Sequence, residues 1–481
     1  RNGHYKELSR MDAIVKHTEQ TGDGRLSVAV VGGGLAGISA AVNLVKSGCR
    51  VVLFERGRYL GGRTSSTTIH RDQWESSQLV DNGQHLYLGC CHGLKQMNAT
   101  LKLESCFDRL DRIPFALPNG KVWYMTPTRW LPAQWQLVPS LLRIPRLTFG
   151  QRLHIVKTAK VLLQYRDQNT NTESFGEWLT RRNAPENTIR FFWQPIILSS
   201  LAELPDYVSV AAAQAVVREI LFSGRGATSV FIPNRPLREI YHDHTIEALK
   251  ELGIDTRCLS RVSRLVVEGN RASAIELNTG ETLKFDRFVL ALGTFALSKL
   301  LNDSGQDEAE SAIRFDRFEL GAITAVHLWC DKRLIDDPAV VLFDGPGQWL
   351  FCPKQQAHYA QKGQGIYHQV IISASHRLLD GDELTASKSN QLIERVLKQL
   401  KTIFPAAAQC EVKAATVSTV LDAIVSPTAE VFSSRPSQET SLDNLVLAGD
   451  WTDTSWSSTM EGAVQSGIAA AQMLKRKCDQ K

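Results

Sequence analysis

From residue 28 the chain is punctuated by short apolar runs and glycines. Residues 28–31 (Val-Ala-Val-Val) have the length of a buried strand. After Gly32, Gly33 and Gly34 the pattern turns to small and apolar residues at helical spacing, through Ala40, Ala41 and Leu44 to a stop at Gly48. Residues 51–54 form a second apolar strand, closed by Glu55. Strand, glycine turn, helix and strand in this order predict a βαβ unit. Between about residues 101 and 230 this rhythm disappears, and a mostly helical stretch rich in Trp, Leu and Pro is expected. It returns over residues 248–293, with an apolar β-branched run at 262–267, a hairpin around Asn278-Thr-Gly280 and a buried strand at 288–293. Alternating runs at 323–329 and 367–373 predict an antiparallel sheet, half-exposed to a cavity, within residues 305–430. A last strand at 445–450 and a helix over 459–476 complete the pattern.

At 481 residues the chain is too long for one core. Two intertwined domains are expected. A nucleotide-binding domain takes residues 26–100, 230–304 and 431–476, a substrate domain takes 101–229 and 305–430, and residues 1–25 form a polar extension. The fold class is therefore α/β, a Rossmann-like domain carrying an inserted α+β domain. The net charge of +5 is mild, and no nucleic-acid motif accompanies it. Nine Cys, with no C-x-x-C, exclude a regular zinc site and a disulfide framework and suit a reducing compartment. No metal is expected. No apolar run reaches the roughly eighteen residues of a spanning helix, and none precedes the first strand as a signal peptide.

The candidate chemistry begins at the glycines. Gly32, Gly34 and Gly37 fall in the spacing G-x-G-x-x-G, with Glu55 about twenty residues on, where a dinucleotide site places its ribose ligand. Gly32 serves the tight turn, Gly34 admits a pyrophosphate to the backbone, and Gly37 lets helix and strand pack. Leu35 and Ala36 open the helix whose N-terminus faces the phosphates. Arg56 leads into a Gly61-Gly62-Arg63-Thr64 turn, and Gly449-Asp450 stands near the far end. Ser458 and Glu461 have the spacing of a capping box for the final helix.

An early βαβ unit with a Gly-Gly-Arg turn and a late strand ending Gly-Asp resemble FAD-binding oxidoreductases of the amine oxidase and phytoene desaturase superfamily, over nearly the whole chain. The resemblance implies that Asp450 binds the ribityl and phosphate portion of FAD, that Glu461, Gly462 and Ala463 approach the isoalloxazine, and that the Val262 backbone clasps adenine. More closely, Gly61–Thr64, the turn Asp81-Asn82-Gly83-Gln84-His85 with residues 86–90, Phe192-Trp193-Gln194-Pro195 leading to residues 209–212, and residues 459–467 look like bacterial hydroxysqualene dehydroxylases. That family implies reduction of hydroxysqualene to squalene in hopanoid synthesis, with NAD(P)H as external electron donor, and Gly83 joins the expected cofactor contacts. An allylic hydroxyl leaves only when protonated, so the reaction needs an acid: His85 first, Asp81 second, Glu203 as a helix-end alternative. A carotenoid-type desaturase or a flavin amine oxidase, with Trp451 and Trp456 as an aromatic cage, remains open, as does a flavin-free prenyl-lipid escort protein of related fold.

Residues 112–166 carry Arg112, Lys121, Arg129, Arg143, Arg146, Arg152, Lys157, Lys160 and Arg166 without one Asp or Glu, interleaved with Trp123, Trp130, Trp135, Phe149 and several Leu. Cations among aromatic and aliphatic residues suit an anionic lipid surface. The expected protein is cytoplasmic, peripheral on the inner face of the cytoplasmic membrane, with a long C30 isoprenoid substrate and no nucleic-acid partner.

Overall fold

The computed structural model describes residues 24–70, 77–166, 173–306, 313–360, 363–378 and 385–479. The extension expected over residues 1–25 lies outside them except for its last two residues. Ser27–Val31 is the central strand of a five-stranded parallel sheet, flanked on one side by Arg50–Phe54 and Asp255–Arg257 and on the other by Arg287–Leu290 and Leu445–Leu447. Its five residues are all buried, because helices cover both faces of a parallel sheet. The first helix, Leu35–Lys46, packs along the C-terminal helix, Met460–Asp479, and Ser39 Oγ donates to the Val464 carbonyl at 2.8 Å. One sheet is thus closed by strands from the beginning, middle and end of the chain, and the early and late glycine motifs meet at its carboxyl edge. A small antiparallel sheet, Val262–Glu268 with Arg271–Leu277 and Thr282–Lys284, stands beside it and contains the expected hairpin.

The second layer is a seven-stranded sheet in the order Val412–Val425, Leu320–Cys330, Ile366–Ile372, Trp349–Phe351, Ala339–Val341, Ile113–Ala116 and Val122–Met125. It is antiparallel except for one parallel contact, Val341 with Phe115. Here the sequence-based expectation needs correction. Residues 107–125, expected within a helical stretch, include three short strands: Phe107–Leu110, Ile113–Ala116 and Val122–Met125. Phe107–Leu110 pairs with residues 230–233, far away in sequence, whereas Ile113–Ala116 and Val122–Met125 pair with each other as a local hairpin closed through Asn119-Gly120, a turn signal that sequence reasoning passed over. Helices such as Phe149–Leu163 and Val210–Phe222 follow, around a core that includes Trp178, Trp193 and Phe175.

Glu203 also departs from expectation. It is a fully buried carboxylate, not a solvated helix end. Arg377 Nη2 pairs with it at 3.2 Å, Ser426 Oγ donates to it at 2.8 Å, and His376 Nε2 lies 3.3 Å away. Arg377 also pairs with Glu319 at 2.6 Å and stacks on Tyr207. Residues 203 and 207 thereby clasp residues 319, 377 and 426, which makes Glu203 a joint within this layer.

Arg377 keeps Glu319, but Glu203→Ala removes a fully buried acceptor from Arg377 and Ser426 and is expected to cost about 2 kcal/mol of stability. Thermal unfolding of the two proteins checks this. A loss below about 1 kcal/mol would put the pair in the class of screened surface bridges.

Candidate functional site

The phosphate loop is built by steric exclusion. A Cβ on Gly37 would lie 1.8 Å from the Gly32 carbonyl oxygen, so the helix can sit this close to the strand only with glycine there. Gly32 itself holds φ at +111° against the Ala291 carbonyl. Gly34 differs. Its φ is −75°, available to any residue, and a Cβ would meet nothing nearer than Gly62 Cα at 3.9 Å. The space above Gly34 is a cradle that a side chain would fill, beside the amides of Leu35 and Ala36 at the helix start. Gly61 N donates to the Gly33 carbonyl at 2.9 Å and Gly62 faces Gly34, so the Gly-Gly-Arg turn forms the opposite rim.

Glu55 ends its strand as expected, and its carboxylate is already engaged. Gly33 N donates to Oε2 at 2.8 Å and Gly57 N to Oε1 at 2.6 Å. It therefore shapes the loop, and its remaining lone pairs are what a ribose could use. Arg56 is exposed. Ser260 N donates to the Glu55 carbonyl at 2.9 Å, which brings half-buried Val262 to the same end of the crevice.

Arg63 joins the two ends of the chain. Its Nη2 pairs with buried Asp450, and its Nη1 donates to the Ala423 carbonyl at 3.0 Å and the Asp422 carbonyl at 3.4 Å. The other oxygen of Asp450 accepts from Ser458 Oγ. Ser458 is consequently not the helix cap. Thr459 Oγ1 accepts from Gly462 N at 3.1 Å in that role. Glu461 is not the second half of a capping box either. Its buried carboxylate accepts from Gly93 N at 2.8 Å and Leu94 N at 2.7 Å, at the start of helix His92–Thr100. The expected approach of Glu461 to a cofactor is thus limited to its backbone, with Gly462 and Ala463. Gly449 N is fixed by Ser466 Oγ at 2.8 Å, while Trp451 is buried against Phe315 and Phe318 and donates to the Leu292 carbonyl. Trp451 cannot wall an open cage.

The turn at 81–85 lies over the seven-stranded sheet. Asp81 is fully buried and accepts from Ser66 Oγ at 2.7 Å, Leu237 N at 2.8 Å and Gln84 Nε2 at 3.0 Å. Burial outweighs these bonds and pushes its pKa up to about 7. Gly83 is buried against Ile371. His85 is half-buried, with Nδ1 on the Gly83 carbonyl; burial, and then the Arg63 charge, hold its pKa below the ordinary value. With Nδ1–H given to a carbonyl, the neutral ring offers only a lone pair at Nε2.

Beneath this turn lies a polar network that sequence reasoning did not single out. Gln369 Oε1 accepts from Gln84 N and its Nε2 donates to the Asp81 carbonyl, both at 2.8 Å. Fully buried His327 bonds Tyr367 Oη at 2.7 Å and Ser418 Oγ at 2.8 Å, and burial drives its pKa down to about 3. The available signal was a His and a Gln at inward positions of otherwise apolar runs. Farther along the same sheet is a narrow apolar cleft, open to solvent at its mouth, walled by residues that include Phe115, Trp123, Ile144, Phe191, Phe192 and Phe343. Arg146 is its one charged wall residue. Among the described residues no cluster of side chains could hold a metal ion, and no helix is long and apolar enough to cross a membrane.

The open space at Gly34, the helix-start amides and the Arg63 guanidinium fit a dinucleotide with its pyrophosphate on the loop. Comparison with known proteins agrees. The chain is 25% identical to hydroxysqualene dehydroxylase of Zymomonas mobilis, over 92% of this chain and 98% of that protein. It is 24% identical to zeta-carotene desaturase of Synechocystis, over 93% and 97%. A solved oxidoreductase from Methanosarcina mazei shares the fold, with a TM-score of 0.67 over 93% of this chain and all of that one, at 17% identity. The family model of flavin containing amine oxidoreductases matches residues 35–474. With that match spanning almost every element described above, the chain belongs to the flavin containing amine oxidoreductase family.

Proposed function

We propose that this flavoprotein is an FAD-dependent reductase that converts hydroxysqualene to squalene, with NAD(P)H as the external electron donor. The observation that carries the reading is the apolar cleft. Phe192, from one of the segments that look like hydroxysqualene dehydroxylases, forms part of its wall, and hydrocarbon is what such a wall accepts. The similarity to the Zymomonas enzyme supports the same choice.

Gly34, Leu35, Ala36 and Arg63 would hold the pyrophosphate, Glu55 and Val262 the adenosine end, and the backbone of residues 461–463 the flavin end. The chemistry the group supplies when bound is delivery of a hydride to carbon. The substrate carbon exchanges its C–O bond for a C–H bond, and the oxygen leaves as water after taking one proton. The chain must provide that proton and keep bulk water away. The apolar wall would serve the second task for the part of the substrate it covers. For the first, His85 has the accessible position, but it must charge before it donates from Nε2. Asp81 is enclosed by three donors and braces the turn.

One observation favours a second reading. A neutral His85 with a lone pair at Nε2 is prepared to accept a proton, and a desaturase needs a base where a dehydroxylase needs an acid. An amine oxidase is less well supported, since Trp451 is packed into the core. An escort protein without flavin would have no use for the intact Gly34 cradle.

Anaerobic incubation of the reduced holoenzyme with hydroxysqualene is expected to yield squalene. Turnover of phytoene by the oxidised enzyme, with no squalene in the first arm, would establish the desaturase instead. His85→Ala should lower kcat about a hundredfold in whichever reaction is found, and unchanged turnover would remove it from the chemistry.

Gly34→Val is expected to leave the melting temperature of the flavin-free protein unchanged while most of the bound flavin is lost. Absorbance of the purified protein reads this directly, and a fully yellow variant would refute the assigned cradle. The folded state holds the Asp81 proton up to about pH 7, whereas the unfolded chain releases it near the ordinary carboxylate value. Asp81 therefore favours folding in acid, and that contribution disappears as pH rises toward 7. Relative to Asp81→Asn, the wild type should lose stability between about pH 4 and pH 7. A difference in melting temperature independent of pH would contradict the assignment.

A further inference from the structure

Helix Phe149–Leu163 has two unlike faces. Its N-terminus is closed by Thr148 and Gln151, and its buried stripe is Ile155, Thr158 and Leu162, turned into the core of the second layer. At 100° per residue, positions 149, 153, 157 and 160 fall on the opposite side, with 161 at its flank. That side carries Phe149, 67% exposed, with Leu153, Lys157, Lys160 and the flanking Val161, all of them exposed. The loop before it exposes Trp130 (80%) and Trp135 (53%). The turn holding Trp135 and helix Phe149–Leu163 both pack on helix Val210–Phe222. An outer helix of a globular protein ordinarily shows water a mixture of both charge signs. This one shows aromatic and aliphatic side chains and only positive charge.

The structure separates the cations of the acid-free segment by their duties. Arg129 pairs with Asp111 and Arg146 with Asp344, both at 2.6 Å, while Arg152 donates to the carbonyls of Leu142 and Ile144 and Arg112 stacks on Tyr124. Lys121, Arg143, Lys157 and Lys160 have no acidic partner among the described residues. Two of these four stand on the same helix face as Phe149 and Leu153.

We infer that the outer face of helix Phe149–Leu163, together with Trp130 and Trp135, docks on a bilayer of anionic phospholipid. Aromatic rings enter the interface between headgroups and acyl chains, and ammonium groups among them meet phosphates. A second copy of the chain is a poor occupant. Symmetric pairing would bring Lys157 and Lys160 against the same cations. Docking also gives the nearby cleft a use, because Ile144, Pro145 and Arg146, in its wall, lie between unpaired Arg143 and exposed Phe149. The attachment is independent of which apolar substrate that cleft takes.

The test is flotation of the flavin-loaded full chain with vesicles of phosphatidylglycerol and phosphatidylcholine in equal parts, against phosphatidylcholine alone. Wild type is expected to float with the anionic vesicles and to be released by high salt. Lys157→Glu with Lys160→Glu, and separately Phe149→Ser with Leu153→Ser, should each weaken binding about tenfold or more. Lys398→Glu with Lys401→Glu, on exposed positions of another helix, should leave it unchanged. Flavin absorbance and melting temperature verify that every variant is folded. Wild type that stays at the bottom, or reversals that weaken binding equally on both helices, would overturn the proposal. So would a wild-type dimer that Phe149→Ser with Leu153→Ser turns into a monomer without any effect on flotation.

Discussion

The contact between Arg63 and Asp450 spans 387 positions of sequence, and the whole site is arranged around it. Asp450 is buried and cannot be left as an isolated anion, so the strand that ends there must arrive where a cation is waiting. Arg63 supplies that cation from the Gly-Gly-Arg turn, and its second arm holds the Asp422 and Ala423 carbonyls near the end of strand Val412–Val425. The phosphate loop, the last strand of the parallel sheet, the C-terminal helix through Ser458, and one edge of the substrate sheet are thereby referred to one guanidinium. A lysine would offer a single point of charge and could not fix three directions at once.

This convergence explains what the sequence could disclose. The phosphate loop was legible because its requirements are local: Gly37 has no room for a Cβ whatever the rest of the chain does. The parallel sheet was legible because strands covered on both faces are unbroken apolar runs. Carboxylates were less legible, since their spacing says nothing about distant partners. Glu461 has the sequence signature of a cap for its own helix, but its oxygens are claimed by Gly93 and Leu94, 368 and 367 positions away. Ser458, the other half of that signature, is taken by Asp450. Glu203 resembles a solvated helix end until Arg377 and Ser426 enclose it. The strands within residues 107–125 are only four residues long, too short to show a period, and the one local sign of them was the Asn119-Gly120 turn that joins Ile113–Ala116 to Val122–Met125.

The polar residues inside the substrate sheet are its least expected feature. His327, Gln369 and Tyr367 occupy inward positions where apolar side chains would pack without difficulty. Each is satisfied: Gln369 spends both ends of its amide on the backbone of residues 81 and 84, and His327 bridges Tyr367 and Ser418. A half-satisfied network would cost more than an apolar core. The bonds from Gln369 tie the Asp81–His85 turn to one register of the sheet, at the cost of a Gln84 side-chain oxygen left buried without a partner. His85 therefore owes its position to strands nearly three hundred residues away in sequence.

The same burial that builds this support restricts the chemistry. It raises Asp81 and lowers His85, so each is driven toward its neutral form, and His327 is pushed further in that direction. The charge felt by His85 is the positive one of Arg63. A full allylic cation forming next to such groups would have little to stabilise it. On the dehydroxylation reading, His85 would have to be charged to give the departing oxygen its proton, against the direction in which burial and Arg63 move it. On the desaturation reading, a neutral acceptor at His85 is already in its working state, and an apolar wall carries no penalty. Burial thus sets the sharper demand on the first reaction, which would need a charged His85 where burial favours the neutral ring.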